Sequence, residues 1–354
     1  MSGHTEPDDP VIATVRRAVR DALHCDVAAL EEMPRGLGLR RFFRVTLRTG
    51  EPLSLVARVE APEDPARRPT GAKPEPPLEP LRSFLEAHGI PVPAAYGGDA
   101  AGGVALLEDL GTQSLGAAVA RVDAAERRRL YTEACDLTLL YQRAVDPTGR
   151  VHAFDRRLDA TLFAYKADFF ASHGLPAGLG REATPAERAA VTDAFGEIAA
   201  EAARAPQRLA HRDFQSANLL VREGRPPGRR LGVIDLQGAL LAPPEYDLVC
   251  LLRDSYVELP DAEVAYQIGR VRPLLPDAPD SDSFLRRFDL LTLTRKGKDH
   301  GLFYYTARVR GLPESLRFVP ATVRALRAAA VRVGTSSPRL RRLAELIETL
   351  PEPA

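Results

Sequence analysis

The chain has 354 residues, 45% of them hydrophobic and 27% charged, which suffices for about two domains with a sizeable core. Its 48 basic and 48 acidic side chains cancel, so nothing in the overall charge argues for nucleic acid or an anionic membrane as a partner. Cys25, Cys135 and Cys250 follow no zinc or disulfide spacing and no apolar run approaches the ~20 residues of a membrane span, so a cytoplasmic protein is expected, taken as a monomer although the sequence does not report its oligomeric state.

Ile12, Val15, Val19 and Leu23 recur at helical spacing and predict a helix over 11–30. In RRFFRVTL, Phe43, Val45 and Leu47 alternate with polar residues, as in a half-buried strand. A second strand, LSLVARVEA (53–61), follows the turn signal Thr49-Gly50-Glu51-Pro52, so the two predict an antiparallel hairpin. Residues 62–80 are too rich in proline for a helix or a central strand and read as an exposed loop. A short helix is expected over 81–88, stopped by Gly89, Pro91 and Pro93, and GGVALLEDLG reads as a buried strand ending at Glu108 to Gly111. Residues 1–110 therefore form a small β-rich lobe.

Beyond Gly111 the pattern turns helical. Asp123 is placed to cap a helix through Leu130, Leu137 and Tyr141, and another runs from Asp159 through Phe163, Phe169 and Phe170. Thr184-Pro185-Ala186-Glu187 is a capping box with proline at the first helical position. The strand GVIDLQ and the helix PEYDLVCLLRD come later, and the remainder to about Ile347 is mostly helical. The plan is α+β, with a small lobe over 1–110 and a larger helical lobe over 111–354.

The stretch LAHRDFQSANLLV (209–221) carries the chemistry. His211-Arg212-Asp213, four residues and then Asn218 is the spacing of a kinase catalytic loop. An Asp at the loop's start can accept a hydrogen bond from an attacking hydroxyl, and an amide oxygen shortly after can ligate Mg²⁺. Asn218 opens the strand NLLVR, and a hairpin tip returns the chain as LGVIDLQ with Asp235 at its end. Asn218 and Asp235 with phosphate oxygens make a typical partial Mg²⁺ shell.

These motifs resemble the aminoglycoside phosphotransferase/choline kinase superfamily, a branch of the protein-kinase-like fold. LLEDLG, HRDFQSANLLV, GVIDLQGALLAPPEYDLVCLLRDSY and KGKDHGLFYYTARVRGLPESLRFVP look most like bacterial kinases of peptidoglycan recycling. Those enzymes phosphorylate the anomeric hydroxyl of N-acetylmuramate and N-acetylglucosamine. The resemblance runs from about Leu39 to Val331 and implies a bilobal kinase using ATP and Mg²⁺, with Asp213 catalytic. It also implies that the backbone of Glu108 to Leu110 pairs with adenine, and that Asp247 buttresses the catalytic loop.

The amino-terminal lobe departs from a protein-kinase pattern. Gly36 and Gly38 are followed by Leu39-Arg40-Arg41 rather than by a third glycine, and Val56-Ala57-Arg58 stands where V-A-I-K would supply a phosphate-binding lysine. Arg58, oriented by Glu79 or Glu86, can bind phosphate through its guanidinium fork, and Arg40 and Arg41 are the alternatives.

Residues 281–340 hold twelve Arg and Lys against four Asp and Glu, a balance of 12 − 4 = +8. Like charges repel, so this composition disfavours a polycationic aminoglycoside and fits a neutral or carboxylate-bearing sugar. Lys298, His300, Tyr304 and Arg308 share one short segment that can reach an acceptor, and Arg253 and Asp254 are further acceptor-binding candidates. The expected activity is ATP-dependent phosphorylation of a small sugar. The rival readings are a kinase for another alcohol or an aminoglycoside, and a pseudokinase interaction module that binds nucleotide without turnover.

Overall fold

Alternating burial in RFFRVTL and SLVARV builds the middle of a five-stranded antiparallel sheet in the computed structural model, which describes residues 9–34, 40–60 and 76–352. The glycines Gly36 and Gly38, with Leu39 and most of the proline-rich 62–80 stretch, lie outside the described residues. The strands are β1 (Val27–Glu32), β2 (Arg41–Leu47), β3 (Ser54–Val59), β4 (Ala95–Asp99) and β5 (Val104–Glu108), in the order β1-β2-β3-β5-β4. Phe43, Val45, Leu55, Ala57 and Leu106 are buried in one cluster with Val15, Ala18 and Val19 of helix α1 (Pro10–Leu23).

The helix predicted over 11–30 stops at Leu23. His24 takes a left-handed φ of 55° and its N–H bonds the Arg20 carbonyl, after which the chain enters the sheet as β1. VAALEE consists of good helix formers, and pairing with β2 overrides that local preference.

Two compact units result: Met1–Arg68 with Val92–Thr112, and Pro69–Pro91 with Gln113–Ala354. The short helix α2 (Leu81–Ala87) thus joins the second unit, whereas the 1–110 boundary put it in the β-rich lobe. Its Phe84 packs edge-on against Phe154 at 5.5 Å, and the Pro91 carbonyl accepts from Val233 N–H at 2.8 Å.

The second unit continues with α3 (Leu115–Val119), α4 (Ala124–Arg143), α5 (Ala160–Phe169), α6 (Leu175–Leu179) and α7 (Pro185–Arg204). Asp123 and Asp159 cap α4 and α5, and the Thr184–Glu187 capping box opens α7, as their spacing predicts. Two small ladders follow: β6 (Arg208–Ala210) pairs with β9 (Leu240–Ala242), and β7 (Leu219–Val221) with β8 (Leu231–Val233). Then come α8 (Tyr246–Leu252), α9 (Asp261–Val271), α10 (Ser281–Val309), α11 (Val319–Val333) and α12 (Pro338–Glu348).

Helix α10 is the spine of this unit. Every residue from Phe288 to Gly301 is buried except Lys298. Helix α5 runs into a π-helical turn, Phe170–Gly174, that presses against α10 where α10 has glycines. A Cβ on Gly301 would sit 2.6 Å from the Phe169 carbonyl oxygen, so only glycine fits without moving backbone.

His300 faces this seam rather than solvent or an acceptor. It is fully buried, edge-on to Phe170 at 5.6 Å, and neither ring nitrogen has a hydrogen-bond partner. Burial pushes its pKa down to about 3. The unfolded chain would take up that proton below about pH 6.5. The stability His300 contributes is therefore complete above about pH 6.5 and is lost as pH falls toward about 3. His300→Leu should lose less Tm than the wild type between about pH 6.5 and 4, by about 5 °C or more. Parallel Tm curves for the two proteins would contradict this.

Candidate active site

The HRD stretch becomes the loop between β6 and the β7–β8 hairpin. Leu219 pairs with Val233 and Ile234 N–H bonds the Asn218 carbonyl at 3.0 Å, so Asn218 and Asp235 stand at the same end of that hairpin. Asn218 Nδ2 donates to the Asp213 carbonyl at 2.9 Å, and among the described residues Oδ1 has no partner. Asp235 Oδ1 accepts from Gln237 Nε2 at 2.6 Å. Arg212 (φ 79°) and Asp235 (φ 64°) are two of the four non-glycine residues with positive φ among the described residues. Such strain persists where the surroundings over-determine it, commonly at active sites.

Two buried carboxylates hold the loop backbone. Asp247, in the first turn of α8, accepts from His211 N–H at 2.7 Å and Arg212 N–H at 3.0 Å. Burial pushes its pKa up to about 6, while His211 and the two backbone bonds act in the other direction. Asp254 accepts from Ser216 N–H at 2.8 Å. Both are therefore structural supports of the loop, as was expected of Asp247 but not of Asp254.

The side chain of Asp213 is held from α10. Arg295 donates through one terminal nitrogen to Asp213 Oδ1 at 2.7 Å and to the Arg212 carbonyl at 3.3 Å, and through the other to Gln215 Oε1 at 3.0 Å. Its Nε meets Asp299 Oδ2 at 3.2 Å. Burial opposes the charge on Asp213, but Arg295, Arg212 and Lys298 outweigh it and hold the carboxyl well below the usual range. Arg295 was not singled out in the sequence. The available signal was a cation directly after the apolar run LLTLT, where a solvated face should not be.

Other expected site residues have contacts of their own. Arg253 bonds Asp261 at 2.7 Å, and Arg308 is exposed in the last turn of α10 over the Tyr304 ring. Arg58, in the first unit, is buried and paired with Glu60, whereas Glu79 and Glu86, in the second, both bind Arg82. Arg40 also bonds Glu60, and Arg41 is engaged by Glu32 and Asp9, which raise its pKa further. Glu108 accepts from Ala94 N–H at 3.1 Å, and Leu110 is buried. Between them, Asp109 takes the Arg44 fork and the Ser54 hydroxyl, a brace for the end of β5 that the sequence did not reveal.

Part of the basic balance of 281–340 is offset by acids from other elements. Arg286 pairs with Glu201, Arg287 with Glu245 and Arg324 with Glu258. Among the described residues no cluster of three His, Cys, Asp or Glu side chains could hold a metal. The oxygens of Asn218 and Asp235 instead fit a hard cation such as Mg²⁺, which is bound by one or two protein ligands and completed by phosphate and water.

The phosphotransferase enzyme family model matches residues 30–279. The chain belongs to that family. It is 31% identical over 290 residues to an N-acetylmuramate/N-acetylglucosamine kinase of Pseudomonas aeruginosa, covering 79% of this chain and 81% of that protein. A kinase of the same name from Neisseria meningitidis is 28% identical over 318 residues, 87% of each chain. In fold the chain is similar to choline kinase LicA from Streptococcus pneumoniae, with a TM-score of 0.60 at 13% identity over 91% of this chain and all of that one. Aminoglycoside phosphotransferase APH(2'')-Ib gives 0.57 at 14% identity over 90% and 99%.

In this phosphotransferase the backbone bonds to Asp247 set the loop. Asp247→Ala strands two buried N–H groups and should cost about 2–4 kcal/mol of stability. It should lower kcat more than it raises the KM for nucleotide, read from denaturant melts and initial rates. Unchanged stability and kcat would show that the loop is held by other means.

Proposed function

We propose that the enzyme transfers the γ-phosphoryl group of ATP to the anomeric C1 hydroxyl of an N-acetylated amino sugar, N-acetylmuramate or N-acetylglucosamine. The observation that carries this reading is the likeness to kinases of that name over four-fifths of the chain. An ionised Asp213 carboxylate flanked by Arg295, Arg212 and Lys298 agrees with it.

Asp213 accepts the hydrogen bond of the acceptor hydroxyl and takes its proton as the sugar oxygen bonds phosphorus and ADP departs. A depressed pKa makes Asp213 a weak base. That is adequate, because phosphoryl transfer depends mainly on positioning and on charge stabilisation. Mg²⁺, held by Asn218 Oδ1 and the Asp235 carboxylate, would neutralise phosphate charge. Arg295 keeps Asp213 Oδ1 engaged at 2.7 Å, so Oδ2 is the oxygen that meets the acceptor. The cations around Asp213 disfavour a polycationic aminoglycoside as the acceptor.

Incubation with ATP, Mg²⁺ and a panel of sugars, aminoglycosides and choline tests the acceptor, since an anomeric phosphate is released by mild acid and other sugar phosphates are not. Turnover should be confined to the amino sugars and give an acid-labile product. Asp213→Asn should lower kcat by about 10²–10⁴-fold, the range for a positioned general base. An acid-stable product, or equal turnover by wild type and Asp213→Asn, would overturn the proposal.

A further inference from the structure

Lys298 is the one residue between Phe288 and Gly301 that reaches solvent. Its neighbours along the helix are engaged. Arg295 holds Asp213, and Lys296 donates to Ser255 at 2.8 Å and to Asp299 Oδ2 at 2.9 Å. Asp299 Oδ2 thus already serves two cations. Lys298 Nζ stands 3.7 Å from the remaining Asp299 oxygen, too far for a hydrogen bond.

Arg295, Lys298, Leu302 and Tyr305 are spaced by three, four and three residues and lie along one face of α10. From Lys298 onward this face is only partly buried. The neighbouring helix and its π-turn add Tyr165, Phe169 and His173, also partly buried. Phe169 lies 5.6 Å from both Tyr165 and Tyr305, and His173 lies 5.0 Å from Tyr305. The Gly301 contact is what brings the two helices close enough for these rings to meet. The result is an aromatic shelf whose inner end carries a loosely held ammonium one helical turn from Arg295, the residue that holds Asp213. Lys298 and Tyr305 are separated by about 10 Å of helix, room for one substituted pyranose.

Aromatic walls with a few placed polar groups are the common composition of small-molecule sites. A pyranose offers an apolar ring face to such a shelf and its hydroxyls to the catalytic loop. A cation with unused donors calls for an anion, and the catalytic step itself already employs Arg295 to orient Asp213. We infer that this face of α10 and α5 is the acceptor subsite, and that Lys298 binds a carboxylate on the sugar, so that the enzyme prefers an acidic amino sugar to its neutral counterpart. The inference rests on the proposed function and deepens it.

Initial rates with N-acetylmuramate and N-acetylglucosamine, for wild type, Lys298→Gln, Lys298→Arg and Tyr305→Leu, test it. Wild type should favour the carboxylate sugar. Lys298→Gln should remove about tenfold of that preference through KM, the worth of one charge-assisted bond, read as the ratio between the two sugars so that any loss common to both through Asp213 cancels. Lys298→Arg should retain the preference, and Tyr305→Leu should raise KM for both sugars alike. Equal losses on both sugars in Lys298→Gln would place the lysine on the phosphoryl group or on Asp213 and overturn the inference, as would no change at all. If wild type turns over neither sugar, the proposed function fails, and calorimetric binding of N-acetylmuramate decides the subsite separately. Binding weakened by Lys298→Gln upholds it. Absent or unaltered binding overturns it.

Discussion

The loop proposed to carry catalysis depends on one buried guanidinium. Arg295 projects from the centre of α10 and holds, at once, the side chain of Asp213, the carbonyl of Arg212 and the amide oxygen of Gln215. A lysine would supply the charge but not the planar fork that reaches three acceptors in fixed directions. Arg212 itself adopts a left-handed φ, so the backbone before Asp213 has little freedom to relax if that fork is lost. Positioning and charge arise from the same contact.

Burying that much charge is costly unless every group is compensated. Asp299 accepts from Arg295 and Lys296, and Lys296 also bonds Ser255, which in turn meets Thr322 of α11 at 3.0 Å. The catalytic loop is thereby tied to α11 through an unbroken polar chain. Asp247 and Asp254 take the loop's N–H groups, while Arg295 takes the Arg212 carbonyl and the side chains of Asp213 and Gln215. Removing one member of such a network leaves an uncompensated buried charge, which typically costs about 3–5 kcal/mol.

The parts legible in the sequence were those with a local grammar. The HRD spacing, the Asp235 strand end and the caps at Asp123, Asp159 and Thr184 each declare themselves within a few residues. The loop supports do not. Asp254 and Arg295 act across 38 and 80 or more positions, on partners that only the packing of α8 and α10 brings near. The many arginines hid Arg295, since most neighbours of the same composition are neutralised at the surface, as with Arg286 and Arg324. His300 was misplaced because polarity suggested an accessible ring, whereas Gly174 of the π-turn and Gly178 of α6 let those elements close over it. β1 was missed because helix-forming residues were drafted into a sheet by their partner strand.

The central claim is that the Arg295 fork, and not merely its charge, holds Asp213 for transfer. The most direct measurement is kcat for Arg295→Lys at saturating substrates, with a thermal melt to show that the variant is folded. The account predicts a folded enzyme with kcat reduced by about 10²-fold or more, as expected when a reacting group is displaced by about an ångström. A folded Arg295→Lys enzyme with wild-type kcat would contradict it.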